Sequence, residues 1–348
     1  MAEICLGLIF LGLTMYAVLG GADFGAGFWD LTAGGDRRGG PVRGLVQRSM
    51  SPVWEANHVW LIFVLVMAWT AFPLVFGAVF TTFLVPLFLA ALGIIMRGAA
   101  FALRGQAATI REARVLGATF ALSSVILPFF LGTVLGGIAA GAVDVSDPQP
   151  SGAAWTGPVA IAAGLLAVLT GAYLSAVFLA ADARRAGVPE LERAFRGRAL
   201  GMGAVTGAAA LGSLLVLRSD ARPLFDDLTS GAGLAGVLIS VAAGGVTLAL
   251  IATWRFEVAR WTAAAAVAAM IGGWWLATRP EVLPGLTLEE AAAPDATLTA
   301  LVVAVGLGLL ILVPSLWYLY RLVLAGTLDQ GYEPLDQQFR PSDPEPPR

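Results

Sequence analysis

Long apolar runs alternate with short polar segments along the whole chain, and the runs set the architecture. A helix that crosses a hydrocarbon layer of about 30 Å needs about 20 consecutive apolar residues. Nine stretches meet that need: 4–30, 52–72, 74–96, 115–140, 155–181, 198–217, 232–254, 259–278 and 298–322. The second and third adjoin at Phe72-Pro73, and the combined block of about 45 residues is too long for one crossing, so it is divided there. The pattern predicts an all-α integral membrane protein with nine transmembrane helices. Pro128 and Pro314 fall inside the fourth and ninth stretches and predict kinks. The transmembrane domain is expected over 1–327. The segment 328–348, with Pro334, Pro341, Pro344, Pro346 and Pro347 among charges, is expected to be a mobile tail.

Arginine placement tests the count and sets the orientation, because cytoplasmic loops collect positive charge. All 21 basic residues are arginine, and 18 of them fall on alternate connections, at 37–48, 97–114, 184–198, 255–260 and from 321 onward. The other face holds only Arg218, Arg222 and Arg279. A missed or extra helix would destroy this alternation, so the N-terminus is expected outside and the C-terminus in the cytoplasm. No positive residue precedes the first apolar run, which argues for a retained span over a cleaved leader.

Composition narrows the function. Of 348 residues, 58% are apolar and 13% charged, with a mean hydropathy of +0.80. Soluble domains are roughly 45–50% apolar and about 25% charged, so the solvent for most of this chain is lipid. A net charge of −3 without a basic block argues against a nucleic-acid partner. The single cysteine, Cys5, excludes an internal disulfide and a CxxCH haem attachment. The single histidine, His58, excludes a bis-histidine haem held by this chain alone. No connection is long enough for a soluble catalytic domain.

Ionisable groups inside hydrocarbon cost several kcal/mol and mark functional positions. They crowd into the first two helices and the adjoining cytoplasmic edge. Asp23 lies in Gly20-Gly21-Ala22-Asp23-Phe24-Gly25-Ala26-Gly27, in the inner part of the first span, where the glycines admit a neighbouring backbone. A carboxylate capped at a close helix crossing is the plain reading, and a protonatable group on an internal polar path is the sharper one. Glu55 and His58 share a face of the second helix, which opens at Ser51-Pro52. A first-turn acid is also what the helix dipole favours, and a lone histidine is more often a hydrogen-bonded interior group than a metal ligand. Glu55 and Asp23, both at inner depth, are placed on one proton route from the cytoplasm. Trp54 and Trp60 read as interfacial or interhelical packing, with Asn57 between them. Arg97 and Arg104 read as positive-inside anchors in contact with phospholipid. Asp295, ahead of the last span, reads as a helix N-cap.

These residues resemble a known family. Gly21-Ala22-Asp23-Phe24-Gly25-Ala26-Gly27 is similar to the GFDxGxG signature of subunit II of the cytochrome bd quinol oxidases. Pro52-Val53-Trp54-Glu55-Ala56-Asn57-His58-Val59-Trp60-Leu61 resembles that family's PxWDxNxVWL stretch. Met96-Arg97-Gly98 through Phe101 and Arg104 resembles its FRGxxFxxR segment. Leu131-Gly132-Thr133-Val134-Leu135-Gly136-Gly137 resembles LGNxxxG, and Asp295-Ala296-Thr297 a motif before the last helix. The chain has Glu55 where Asp is commoner, His58 where Gln or Glu is usual, and one acid fewer before Asp23.

The resemblance implies two four-helix bundles plus one peripheral helix, in a multi-pass protein of a bacterial or archaeal inner membrane. It implies a heterodimer in which subunit I carries two b-type haems, one d-type haem, the quinol site and the oxygen chemistry. The resemblance further implies that this chain itself ligates no haem. The complex would oxidise membrane quinol and reduce dioxygen to water in aerobic respiration, building a proton-motive force by vectorial proton chemistry. A small single-helix subunit, lipids and quinone are further partners it suggests. Asp23 and Glu55 map onto the family's acids on a cytoplasmic proton path, with His58 beside them. The alternative is a secondary transporter with intramembrane carboxylates, although no paired broken helices support it. A scaffold that only stabilises the haem subunit is a third reading.

Overall fold

The computed structural model describes residues 1–50, 54–104, 106–279, 281–283 and 285–325, with only the backbone of 36–38, 323 and 324. The expected tail at 328–348 and the Ser51-Pro52 helix start lie outside the described residues. Among the described residues, eight helices are long and apolar enough to cross a membrane: Ala2–Leu31, Leu84–Arg104, Ile110–Ala139, Pro158–Arg185, Pro189–Asp220, Gly231–Ala252, Phe256–Thr278 and Asp295–Leu322. A further apolar helix, Trp54–Ala71, forms a bent pair with Gly39–Met50 at 57°. The helices Ile110–Ala139 and Asp295–Leu324 run on through Pro128 and Pro314.

The third span begins later than the sequence suggests. The hinge at Phe72-Pro73 is present, with Pro73 opening a short helix, Pro73–Thr82. That helix ends at Phe83, and the crossing helix starts at Leu84. Pro86 is the cause. It has no N–H to offer the carbonyl of Thr82 one turn back, and that oxygen accepts instead from the Ser151 backbone at 3.1 Å. Phe72 packs with Leu288 and Ala291, and Phe83 with Val143, Ala154 and Leu283. Both ends of the short helix therefore sit against connections at the Met1 end of the bundle. It runs along that end rather than into the membrane, so the expected third span 74–96 is displaced to Leu84–Arg104.

Alternate connections gather at the two ends. At the Met1 end, Arg279 pairs with Glu3 at 2.5 Å, and Ala293 N–H donates to the carbonyl of Ala71 at 2.8 Å. A two-stranded hairpin, Glu281–Leu283 with Leu286–Thr287, covers this end. At the opposite, arginine-rich end, Arg196 donates to the carbonyls of Ile251 and Ala252, and Arg260 pairs with Asp182.

Pro158–Arg185 is the most enclosed helix. It touches the first span, Ile110–Ala139, Pro189–Asp220 and Phe256–Thr278. Glycines make its contact with the first span possible: a Cβ on Gly25 would lie 1.9 Å from the Gly171 carbonyl oxygen. On the other side of the same segment, a Cβ on Gly27 would lie 2.3 Å from Ser124 Cβ on Ile110–Ala139. Just after Asp23 the first span thus meets a backbone on one side and the Ser124 side chain on the other. Trp29 locks the crossing by donating from its indole nitrogen to the Ala172 carbonyl at 2.9 Å. The last helix lies at the periphery, against Ala2–Met15 and Trp54–Ala71.

Candidate functional site

The first span is not uniformly α-helical. Ala2–Met15 passes into a π-helical turn, Tyr16–Gly20, before Gly21–Leu31 resumes the α-helix. A π turn inserts a residue and shifts the hydrogen-bond ladder, and such turns favour functional sites. Asp23 follows it directly. Its side chain is 5% exposed, enclosed by the close crossings at Gly25 and Gly27.

Three other helices bring polar groups to Asp23, one of them to the carboxylate itself. From Trp54–Ala71, Asn57 donates through Nδ2 to Asp23 Oδ2 at 2.5 Å, with a longer contact of 3.5 Å to the Leu19 carbonyl in the π turn. From the last helix, the Tyr320 hydroxyl donates to Asn57 Oδ1 at 2.8 Å. From Leu84–Arg104, Arg97 donates to the Asp23 backbone carbonyl at 3.3 Å and to Ser124 Oγ at 3.1 Å. Arg97 is 1% exposed, the largest fully buried side chain among the described residues. Its guanidinium also lies 5.1 Å from the ring centres of both Phe24 and Phe120. Charge-assisted hydrogen bonds and two ring faces offset the cost of holding a cation away from water.

His58 joins the cluster through Arg97, whose Nη1 approaches His58 Nε2 at 3.3 Å. A guanidinium only donates, so this contact requires Nε2 to accept, which leaves the ring proton on Nδ1. The ring sits among Tyr16, Phe24 and Trp54, at centroid distances of 6.0, 5.8 and 6.2 Å. Buried polar atoms without a partner line the same region: Tyr16 Oη, His58 Nδ1 and Trp60 Nε1.

A second rung lies toward the arginine-rich end. Asp30, 4% exposed, accepts from Arg43 Nε at 2.9 Å and from Arg104 Nη1 at 3.2 Å. Asp23 and Asp30 are seven residues apart on the first span, as Arg97 and Arg104 are on theirs. Seven residues are nearly two full turns and about 10.5 Å of rise. Asp23, through its backbone carbonyl, and Asp30, through its carboxylate, therefore each meet one arginine of Leu84–Arg104 at matching height.

Several expectations change here. Arg97 and Arg104 do not point to phospholipid headgroups. They turn inward, Arg97 to the backbone carbonyl of Asp23 and Arg104 to the carboxylate of Asp30. Glu55 is exposed on the surface of this chain, whereas Asn57 is buried. The two differ by about 200° around the helix, so Asn57, not Glu55, is the second-helix residue that reaches Asp23. Trp54 packs its ring at a tilt on Phe101 at 5.2 Å, and Trp60 is buried against Phe63. Asp295 is the first residue of the last helix, exposed within its first turn, rather than a cap preceding it. Asp30, Tyr320 and Ser124 were not signalled by any motif. The matching seven-residue spacings could have revealed Asp30.

The chemistry available is a buried carboxylate able to exchange a proton, a permanent cation beside it, and non-titrating groups that fix both. No group of three or more His, Cys, Asp or Glu able to hold a metal ion occurs among the described residues. His58 does not fit an axial haem ligand, since Nε2 faces Arg97 and the ring is boxed by aromatics.

Comparison with known proteins agrees with this architecture. The family model described as cytochrome bd terminal oxidase subunit II matches residues 1–323. The Bacillus subtilis (strain 168) protein named "Putative cytochrome bd menaquinol oxidase subunit II" is 26% identical over 233 residues, 65% of each chain. A second protein of that organism, "Cytochrome bd ubiquinol oxidase subunit 2", is 28% identical over 131 residues, 38% of this chain and 37% of its own. The matches thus span less than two thirds of these relatives' lengths. A solved structure described as bd oxidase from Geobacillus thermodenitrificans superposes with a TM-score of 0.76 at 27% identity, covering 92% of this chain and 98% of that one.

Proposed function

Since the chain belongs to the cytochrome bd terminal oxidase subunit II family, we propose that it is the non-haem-ligating subunit of a quinol-oxidising, dioxygen-reducing complex and supplies that complex with a proton path from the cytoplasm. Membership of that family supports an oxidoreductase complex with haems and a haem-bearing subunit I. Two b-type haems and a d-type haem in subunit I would carry the electrons and the oxygen chemistry. Protons consumed in making water would come from the cytoplasm, and those released by quinol would leave outside. The reading takes nine spans in two four-helix bundles with a peripheral ninth, N-terminus outside, in a bacterial or archaeal inner membrane. In favour of the ninth crossing, Trp54 packs against Phe101 near the arginine-rich end, while the Ala71 carbonyl at the other terminus bonds Ala293. In favour of the orientation, the arginine-rich end is the one that positive charge marks as cytoplasmic.

The buried carboxylate of Asp23 carries the reading. A lone carboxylate at this depth is costly, and here Asn57 donates to it, Tyr320 holds Asn57, and Arg97 binds the backbone carbonyl of the same residue. The permanent charge of Arg97 lets the site hold an ionised acid inside the bundle, so that a proton can arrive and leave without separating naked charge. Glu55 opens a line of exposed residues, Val59, Ile62, Val66 and Trp69, along one face of Trp54–Ala71. An acid on such a face is badly placed against lipid, which supports its being covered by subunit I, where it would hand protons across the subunit boundary. A small single-helix subunit, lipids and quinone would occupy other apolar faces.

The test is purification of the complex from membranes. The account expects a haem-bearing partner with d-type absorbance and quinol-dependent oxygen consumption. It expects Asp23→Asn and Glu55→Gln each to slow turnover about tenfold or more with haems retained. A colourless preparation would overturn the assignment. Unchanged turnover in both variants would reduce the two acids to packing.

A further inference from the structure

The last helix is, with Pro189–Asp220, one of the two least enclosed spans, and Leu307, Leu310, Ile311 and Trp317 on it are all exposed. One polar side chain on it turns inward. The Tyr320 hydroxyl meets Asn57 Oδ1 at 2.8 Å, and Asn57 Nδ2 meets Asp23 Oδ2 at 2.5 Å. A side-chain amide is two-ended: its oxygen only accepts and its nitrogen only donates. On the inner side, the Asp23 carboxylate and the Leu19 carbonyl, 3.5 Å away in the π turn, both ask for a donor. Turning the amide over would set its oxygen against two other oxygens. A hydroxyl donating to Oδ1 from the outer side holds the productive orientation.

We infer that Tyr320 is a positioning residue for Asp23: its hydroxyl fixes the Asn57 amide so that the nitrogen donates to the carboxylate, and the seating of the outermost helix thereby sets the carboxylate's hydrogen bonding. Residues 263 apart in sequence are joined in this way. The inference rests on the proposed proton path for its activity readout alone. The geometry it claims has a readout of its own.

The experiment uses the complex purified with its partner subunit. Infrared difference spectra between the unaltered complex and Asp23→Asn identify the carboxyl band of Asp23. Tyr320→Phe removes one oxygen atom and nothing else. The expected result is a shift of that band and a two- to tenfold fall in oxygen consumption, about the worth of one hydrogen bond, at unchanged haem content. Tyr318→Phe removes an exposed hydroxyl from the same helix and should leave band and rate alone. An unmoved band in Tyr320→Phe overturns the inference. If Tyr320→Phe does not assemble, Asn57→Leu breaks the link from its other partner and must move the same band, and an unmoved band there is equally fatal. A shifted band together with full turnover in Asp23→Asn would keep the positioning role and remove the proton path. Slowed Asp23→Asn with an unmoved band in Tyr320→Phe would do the reverse.

Discussion

Replacing Gly25 by alanine perturbs the packing on which the buried site depends. The added Cβ would lie 1.9 Å from the carbonyl oxygen of Gly171, 2.3 Å from its carbonyl carbon and 2.7 Å from Ser175 Cβ. Two of these atoms belong to backbone inside the most enclosed helix, so no rotamer change relieves the overlap. Restoring ordinary contact requires the first span to withdraw by about 1.5 Å. Overpacking of this kind typically costs about 1–3 kcal/mol. The withdrawal also carries Asp23, two residues away, by a distance larger than the about 0.5 Å range of a good N–H···O bond. Gly25→Ala is therefore expected to lower both the heat resistance of the purified complex and its oxygen consumption. Gly244→Ala is the control, because nothing lies within 4 Å of a Cβ there and alanine favours the helix by about 0.5–1 kcal/mol. Heat resistance is followed by loss of the haem absorbance on warming. If Gly25→Ala melts and turns over like Gly244→Ala, the close crossing does not exist as described.

Other predictions concern the flanks of the site. Asp30→Asn strips Arg43 and Arg104 of their shared buried carboxylate, and breaking such a network costs about 3–5 kcal/mol. Asp226→Asn, in an exposed pair with Arg222, should fall within about 0–1 kcal/mol of no change, and equal melting of the two variants would contradict the burial of Asp30. In the hairpin region, Glu290 and Thr287 form a capping box on Leu288–Ala291, and hydrogen bonds from the Thr287 hydroxyl and backbone N–H hold the Glu290 carboxyl below its usual range. A depressed folded-state value means that this stabilisation is complete above the ordinary glutamate range and is lost as pH falls through the lowered one. Amide exchange over 285–293, corrected for its intrinsic pH dependence, should accelerate only in that acid range, and Thr287→Ala should accelerate it at neutral pH.

The sequence made the spans and the first half of the site legible, for physical reasons that also explain what it hid. Apolar runs report solvent, and solvent is a local property, so the eight membrane-length helices among the described residues could be located along the chain. The Phe72-Pro73 hinge was visible because proline acts on its own neighbourhood. The second break, at Phe83, was hidden because its cause, a carbonyl orphaned by Pro86, is resolved by Ser151 far along the chain. Asp23, Asn57 and His58 stood out as polar residues in apolar helices. Arg97 stood out too, but its direction could not be read, since a margin arginine reaches headgroups or an internal acid depending on the helix beside it. Tyr320 carried no spacing signal. Its partner lies on a helix distant in sequence, and an aromatic near the end of a span reads first as belt.

Proton delivery is tested most directly by following proton uptake itself. Reduced complex in proteoliposomes, with the arginine-rich end facing a pH-indicating dye, is given a pulse of oxygen. The account predicts uptake from that side in step with haem oxidation, and in Asp23→Asn a delayed uptake with electron transfer among the haems still prompt. Uptake at the normal rate in Asp23→Asn would contradict it.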